Sequence, residues 1–197
     1  MYGTQGYGEN ARALADQYES ITFADVHRDV LHLFPHPPAR VLDVGAGSGR
    51  DAAALATRGH RVVAVEPTDS LRAEGMHRHE GKAIEWVDAQ LPALKGLAPR
   101  AERFDLILLT AVWMHLDEEE RQVGMEALAS LLAPGGRLSL SLRHGPVPTG
   151  RRMFEVPAEE TIALASLSGL CLVHSVVRED MLGRADVRWS FVVVEKP

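Results

Sequence analysis

Three glycines, at positions 45, 47 and 49, stand between an apolar run (Val41, Leu42, Val44) and a helix-forming stretch that begins at Arg50. Glycine adopts φ > 0 without steric cost and carries no Cβ, so a turn of this kind lets a ligand approach the main chain closely. The free N–H groups of the helix start would face the crevice beyond the strand end, where open parallel sheets bind ligands. Acids recur around that crevice. Asp43 lies inside the first apolar run, Glu66 closes the next one 21 residues after Gly45, and Asp88 closes a third 22 residues after Glu66. A carboxylate at the end of a second strand is placed to hold the hydroxyls of a ribose. A nucleotide-like cofactor is the ligand these residue types suit.

The glycines alone do not say which one. Dinucleotide-binding folds place Gly-x-G-x-x-Gly at the same turn. In Gly45-Ala46-Gly47-Ser48-Gly49-Arg50 the third glycine comes one position early, and Arg50 occupies the site where that helix needs a glycine. A second chemical group follows the fourth apolar run, in Thr110-Ala-Val-Trp-Met-His-Leu116. As a general base His115 would need only a modest pKa adjustment, although a histidine in that place can equally cap or pack against the next helix. Arg143, His144, Arg151 and Arg152 cluster after the fifth run. If that segment borders a substrate opening, an anionic small molecule is favoured, because guanidinium groups hold carboxylates with two parallel hydrogen bonds. The other reading is a solvated loop. The His77-Arg78-His79 segment reads as a solvated helix end.

For these side chains to meet, the chain must alternate strands and helices. Asn10 opens an amphipathic helix with Ala11, Leu14, Ala15 and Tyr18 on one face. Thr22 and Asp25 resemble a capping box opening a second helix, with a stripe of Phe23, Val26, Val30, Leu33 and Phe34, stopped by Pro35, Pro37 and Pro38. Strands are expected at 40–44, 61–66, 83–87, 104–109 and 137–142. Helices are expected at about 50–58, 67–79 and 117–132, the last with Val123, Ala127, Leu128, Leu131 and Leu132 inward. Residues 90–103 hold a short helix at most, and residues 1–8 read as mobile. Pro157 and Gly169 bracket another helix. Residues 170–177 and 187–195 are two strands with no helix between them, hence an antiparallel hairpin. The pattern is an α/β fold with a parallel sheet.

The spaced set Asp43, the glycine turn, Glu66, Asp88, Phe104-Asp105-Leu-Ile-Leu, Leu132-Ala-Pro134-Gly135-Gly136-Arg137 and the closing hairpin resembles the class I S-adenosylmethionine-dependent methyltransferases from Val41 to Glu195. That resemblance implies a Rossmann-like three-layer sandwich whose seven-stranded sheet is ordered 3-2-1-4-5-7-6 with the last strand antiparallel, preceded by two N-terminal helices. It implies S-adenosyl-L-methionine as cofactor, with Gly45, Ala46, Gly47 and Gly49 under its methionyl part and Glu66, followed by Pro67, at the ribose. Asp88 and Ala89 would lie at the adenine edge, Thr110 beside the transferable methyl, and Tyr18 would reach the site from the N-terminal helices. His115 is the candidate catalytic base. No metal is expected, because Thr110 stands where a metal-using relative needs a carboxylate. The alternatives left open are an NAD-dependent oxidoreductase and a non-catalytic S-adenosylmethionine-binding protein on the same fold.

Composition narrows the partners. The 197 residues carry 27 acids against 21 bases, a net charge of −6, so nucleic acid is not an expected partner. The N-terminus lacks the basic and apolar regions of a signal peptide, and no apolar stretch nears the ~20 residues of a membrane span. A lone cysteine, Cys171, suits a reducing compartment. The expectation is a cytoplasmic enzyme acting on a small molecule, as a monomer or homodimer. One domain over 1–197 is expected, with residues 1–39 as a helical cap and residues 40–197 as the cofactor-binding sheet.

Overall fold

Seven strands form one sheet in the order β3-β2-β1-β4-β5-β7-β6, here β1 (Arg40–Val44), β2 (Arg61–Val65), β3 (Ile84–Val87), β4 (Phe104–Thr110), β5 (Leu132–His144), β6 (Cys171–Glu179) and β7 (Arg188–Glu195). The computed structural model describes residues 10–97 and 102–197. β1 pairs in parallel with β2 and β4, β2 with β3 and β4 with β5, while β7 runs antiparallel between β5 and β6. This is the expected order and sense. The runs of β1, β2 and β4 are mostly apolar, Asp43 being the buried exception, because the sheet is covered on both faces. On one face Leu42, Val44, Ile107, Leu109, Leu138 and Leu140 pack with Trp113, Met125 and Leu128. On the other, Val41, Val62, Leu106 and Leu108 meet Phe23, Ala52 and Leu55.

The helices are α1 (Ala11–Glu19), α2 (Phe23–His27), α3 (Arg50–Thr57), α4 (Asp69–Arg78), α5 (Glu118–Leu131) and α6 (Ala158–Leu167). Three expectations are corrected. The second helix is only five residues long. Thr22 does cap it, accepting the Asp25 N–H at 3.1 Å, but the chain leaves α-geometry at Arg28 and makes a 3-10 turn at Leu31–Leu33. Residues 90–97 form hydrogen-bonded turns that bury Leu94 and Leu97, in keeping with the expectation of a short helix at most, and 98–101 lie outside the described residues, as do 1–8. β5 starts five residues early, at Leu132, because the Pro134-Gly135-Gly136 segment is held by Gly135 N–H to Lys196 O and Lys196 N–H to Gly136 O.

The inward face of α5 is the third. Val123 is exposed and Ala127 half-buried, whereas Arg121, Gly124, Met125, Leu128 and Leu131 are buried. Gly124 faces the Trp113 ring, which a Cβ there would meet at 3.4 Å. Arg121 can follow it inward because its guanidinium donates to Leu116 O and pairs with Glu160. Asp117 and Glu120 form a reciprocal capping box at the start of α5.

Candidate functional site

A cavity of about 560 Å³ opens at the carboxyl ends of the strands, from Pro67 and Leu71 beside β2 across to Trp189 and Phe191 on β7. Its volume is ordinary for a small-ligand site. Crossing from β2 to β6 covers five interstrand gaps, about 24 Å at ~4.8 Å each. Two ligands can therefore lie side by side.

At the β1–β2 end, Gly45 (φ 72°) and Gly47 (φ 56°) hold conformations that side chains rarely adopt. A Cβ at Gly45 would stand 2.5 Å from Val112, and one at Gly47 would stand 3.3 Å from the Tyr18 ring. The absence of side chains on the turn thus lets Val112 and Tyr18 pack directly against its main chain. Glu66, almost wholly buried, accepts the Gly47 N–H through Oε2 at 2.9 Å and the Thr68 N–H through Oε1 at 2.8 Å. Burial pushes its carboxyl above the ordinary glutamate range, against the pull of the Thr68 and Gly47 hydrogen bonds. The Thr68 hydroxyl bonds it as well, and the carboxylate keeps acceptor capacity for a ligand hydroxyl. Asp43 is buried too, and its Oδ2 has no hydrogen-bond partner. Burial first, then the adjacent Asp51 charge, holds its pKa well above the ordinary aspartate value.

Asp51, at the start of α3, organises the middle of the site. One oxygen meets His27 Nε2 at 2.8 Å and accepts the Thr110 hydroxyl at 2.8 Å, while the other accepts Arg50 Nε at 2.6 Å. Burial opposes its charge, but His27 and Arg50 prevail and its pKa falls far below the usual carboxylate range. The network ties α2, α3 and the end of β4 together beneath the cavity. Arg50 also donates to Tyr18 O, and Ser48 donates to Glu19, which fastens α1 over the turn. His79 is not a solvated helix end: its ring meets Glu19 at 3.2 Å.

Of the residues expected at the cofactor, Tyr18, Asp43, Gly45, Ala46, Gly47, Glu66, Pro67, Ala89 and Thr110 line the cavity, as does His115. Gly49 does not; it caps α3 with φ 84° and packs on Trp86. Nor does Asp88, whose largely exposed carboxylate points to Arg72 at 3.7 Å. His115 is buried, and its Nδ1 lies 2.7 Å from Arg152 O. Because a carbonyl only accepts, Nδ1 carries the proton and Nε2 the lone pair. Burial chiefly, with the Arg151 and Arg152 charges, lowers the His115 pKa despite that hydrogen bond, keeping the ring neutral at pH 7. Arg152 bridges Asp117 and Glu120, both at 2.7 Å, so the N-terminal cap of α5 holds the arginine that orients His115.

The β5–β7 end was not foreseen as a site beyond its arginines. Trp189, Phe191, Arg178, Asp180 and Arg184 join Arg143 and Arg152 around the cavity. Asp180 accepts from both Arg184 and the Trp189 indole. No cluster of three or more His, Cys, Asp or Glu side chains is arranged to hold a metal among the described residues. No helix among them is long and apolar enough to cross a membrane.

Residues 41–136 match a family described as a methyltransferase domain. The chain is 26% identical over 190 residues to glycine N-methyltransferase of Rattus norvegicus, covering 78% of this chain and 65% of that protein. It is 32% identical over 101 residues to ubiquinone biosynthesis O-methyltransferase of Coxiella burnetii, covering 51% of this chain and 42% of that one. The chain thus spans less than two thirds of the length of these curated relatives. Among solved structures, 1,6-didemethyltoxoflavin-N1-methyltransferase of Burkholderia thailandensis, bound to 1,6-didemethyltoxoflavin and S-adenosylhomocysteine, superposes with a TM-score of 0.71 at 24% identity, over 95% of this chain and 89% of that one. N-methyltransferase NodS of Bradyrhizobium japonicum with S-adenosylhomocysteine gives 0.68 at 18% identity, over 95% and 99%. At these identities what is shared is the fold.

Proposed function

We propose, from the premise that this chain is one of the class I S-adenosylmethionine-dependent methyltransferases, that it methylates a small molecule held beside the cofactor in the cavity. The observation that carries this reading is the continuity of one cavity from Glu66, past Thr110, to the aromatic and basic wall on β5 and β7. The residues suit S-adenosylmethionine. Gly45 and Gly47 leave the main chain bare, Glu66 has lone pairs for ribose hydroxyls, and the unpartnered Asp43 oxygen complements a cationic amino acid group. Asp88 is better placed to steady Arg72, which donates to Glu66 O, than to touch an adenine.

When bound, the cofactor supplies an activated methyl on a sulfonium for in-line displacement. The protein's part is to position the acceptor and exclude water. His115, neutral with its lone pair on Nε2, is suited to take the proton of an acceptor that arrives protonated. Thr110, its hydroxyl spent on Asp51, shapes the wall between the two ligands.

Calorimetry with S-adenosylmethionine, S-adenosylhomocysteine and NAD on one sample tests the cofactor. The first two are expected to bind and NAD to give no heat; the reverse order would end the reading. With methyl-labelled cofactor and cell extract, label is expected in the small-molecule fraction. Label confined to protein or nucleic acid would sink the substrate class.

A further inference from the structure

The cations around the far end of the cavity are mostly matched. Arg152 pairs with Asp117 and Glu120, Arg178 with Asp29, and Arg184 with Asp180. Arg143 differs. It is 92% buried (8% exposed), yet its guanidinium has one partner, Gly145 O at 3.3 Å, and its Nε has none among the described residues. A buried charge without a counter-ion is costly, so proteins keep one where a ligand brings the partner. Burial, and next the Arg184 charge, lowers its pKa against the pull of Asp180 and Glu155, whose carboxylates lie near but are bonded to Arg184 and His144 instead.

Its position is equally informative. Ser141 pairs with Thr110 across β4 and β5, and Arg143 lies two residues further on the same face, about 7 Å along the strand. Directly opposite Arg143 stands Trp189, and opposite Trp189 on the next strand stands Arg178, which covers the Phe191 ring at 4.2 Å. Trp189 thus lines the cavity beside the unmatched guanidinium, one ligand length from the end of β4.

We propose that Arg143 anchors the methyl acceptor, and that the acceptor is a small monocarboxylate whose carboxylate receives two parallel hydrogen bonds from Nε and the terminal nitrogen beside it, its carbon body lying on Trp189. This rests on the methyltransferase reading above. A single unmatched cation suits a single negative charge. A phosphate monoester, at about −1.5 to −2, would need a second one, and Arg152, Arg178 and Arg184 are already committed to carboxylates, while Arg151, which also lines the cavity, has contacts of its own.

The test titrates benzoate, benzamide and phenyl phosphate into protein saturated with S-adenosylhomocysteine. Benzoate should bind at least tenfold tighter than benzamide and no weaker than phenyl phosphate. Arg143→Met should bring benzoate down to the benzamide level, and Arg143→Lys should retain part of the difference. Without ligand, Arg143→Met should melt no lower than the parent, and up to about 2–4 °C higher for each kcal/mol of charge burial relieved. Equal binding of acid and amide, tighter binding of phenyl phosphate, unchanged benzoate affinity in Arg143→Met, or a lower melting point that makes Arg143 a structural cation would each overturn the assignment. Failure to bind S-adenosylhomocysteine would sink the methyltransferase reading itself. Cofactor binding without benzoate binding sinks only the anchor.

Discussion

Glu66 and Asp43 are both buried acids with raised pKa values, but they differ in what satisfies them. Glu66 already accepts two backbone N–H groups, so Glu66→Ala loses the ligand hydroxyls' acceptor without leaving a buried charge unpaired. Affinity for S-adenosylhomocysteine in calorimetry should fall by about 1.5–3 kcal/mol, the value of hydrogen bonds to a charged group. An unchanged affinity would remove the ribose assignment. Asp43 has an orphaned oxygen, and its titration enters stability. Its folded pKa lies above its unfolded value, so the folded state binds the proton more tightly and stability falls as pH rises from about 4 through the folded pKa. Asp43→Asn removes that loss. The melting temperature of the variant relative to the parent should therefore climb with pH, while its cofactor affinity drops; a pH-independent difference would refute the linkage. The glycines and Glu66 were legible in sequence because each sits beside its own strand end. Asp51 gave a weak signal, an acid in the first turn after the glycines. His27, 24 residues earlier, gave none, because only the packing of α2 on α3 brings it to Asp51.

Among the elements, α4 shows how closely the cofactor turn is packed from behind. Gly75 lies mid-helix, where alanine would ordinarily stabilise by about 1 kcal/mol. Here a Cβ would stand 2.5 Å from the Trp86 ring and 3.0 Å from Ser48 O, and the same ring already packs so closely on Gly49 that a Cβ there would stand 2.8 Å from it. Overpacking then outweighs propensity. Gly75→Ala should destabilise by about 1–3 kcal/mol in urea unfolding and weaken cofactor binding, since the displaced carbonyl belongs to the turn. A stabilised variant would show that the ring gives way. Element types were largely readable from periodicity, whereas boundaries failed where a tertiary contact replaced a local rule. β5 runs through a proline because Lys196 supplies the ladder bonds, and α5 turns Val123 outward because Met125, Leu128 and the Arg121 contacts to Leu116 and Glu160 claim its inner face.

Over the whole molecule, the cavity is roofed by the element least anchored in the core. α1 buries only Ala15, and its attachments are polar: Asp16 to Arg78, Glu19 to Ser48 and His79, and Tyr18 O to Arg50. Exposed ion pairs contribute little each, so α1 should open locally far more often than the sheet beneath it. Periodicity could show that α1 is amphipathic. It could not show which surface covers it, because that surface is α4 and the glycine turn, assembled from chain 30 to 60 residues away. A ligand lying between the turn and Tyr18 would add apolar contact to this roof and hold it shut. S-adenosylhomocysteine at a hundred times its dissociation constant should raise stability by about 2.7 kcal/mol. The melting temperature should then rise by roughly 5–10 °C for a chain of this size. In hydrogen exchange, the amides of Ala11–Glu19 should exchange fast without ligand and slow on its addition, while those of Val41 and Leu42, buried in the sheet, should change only through global stability. Slow exchange in α1 without ligand, or no slowing on saturation, would mean that the roof is rigid and that the ligand enters elsewhere.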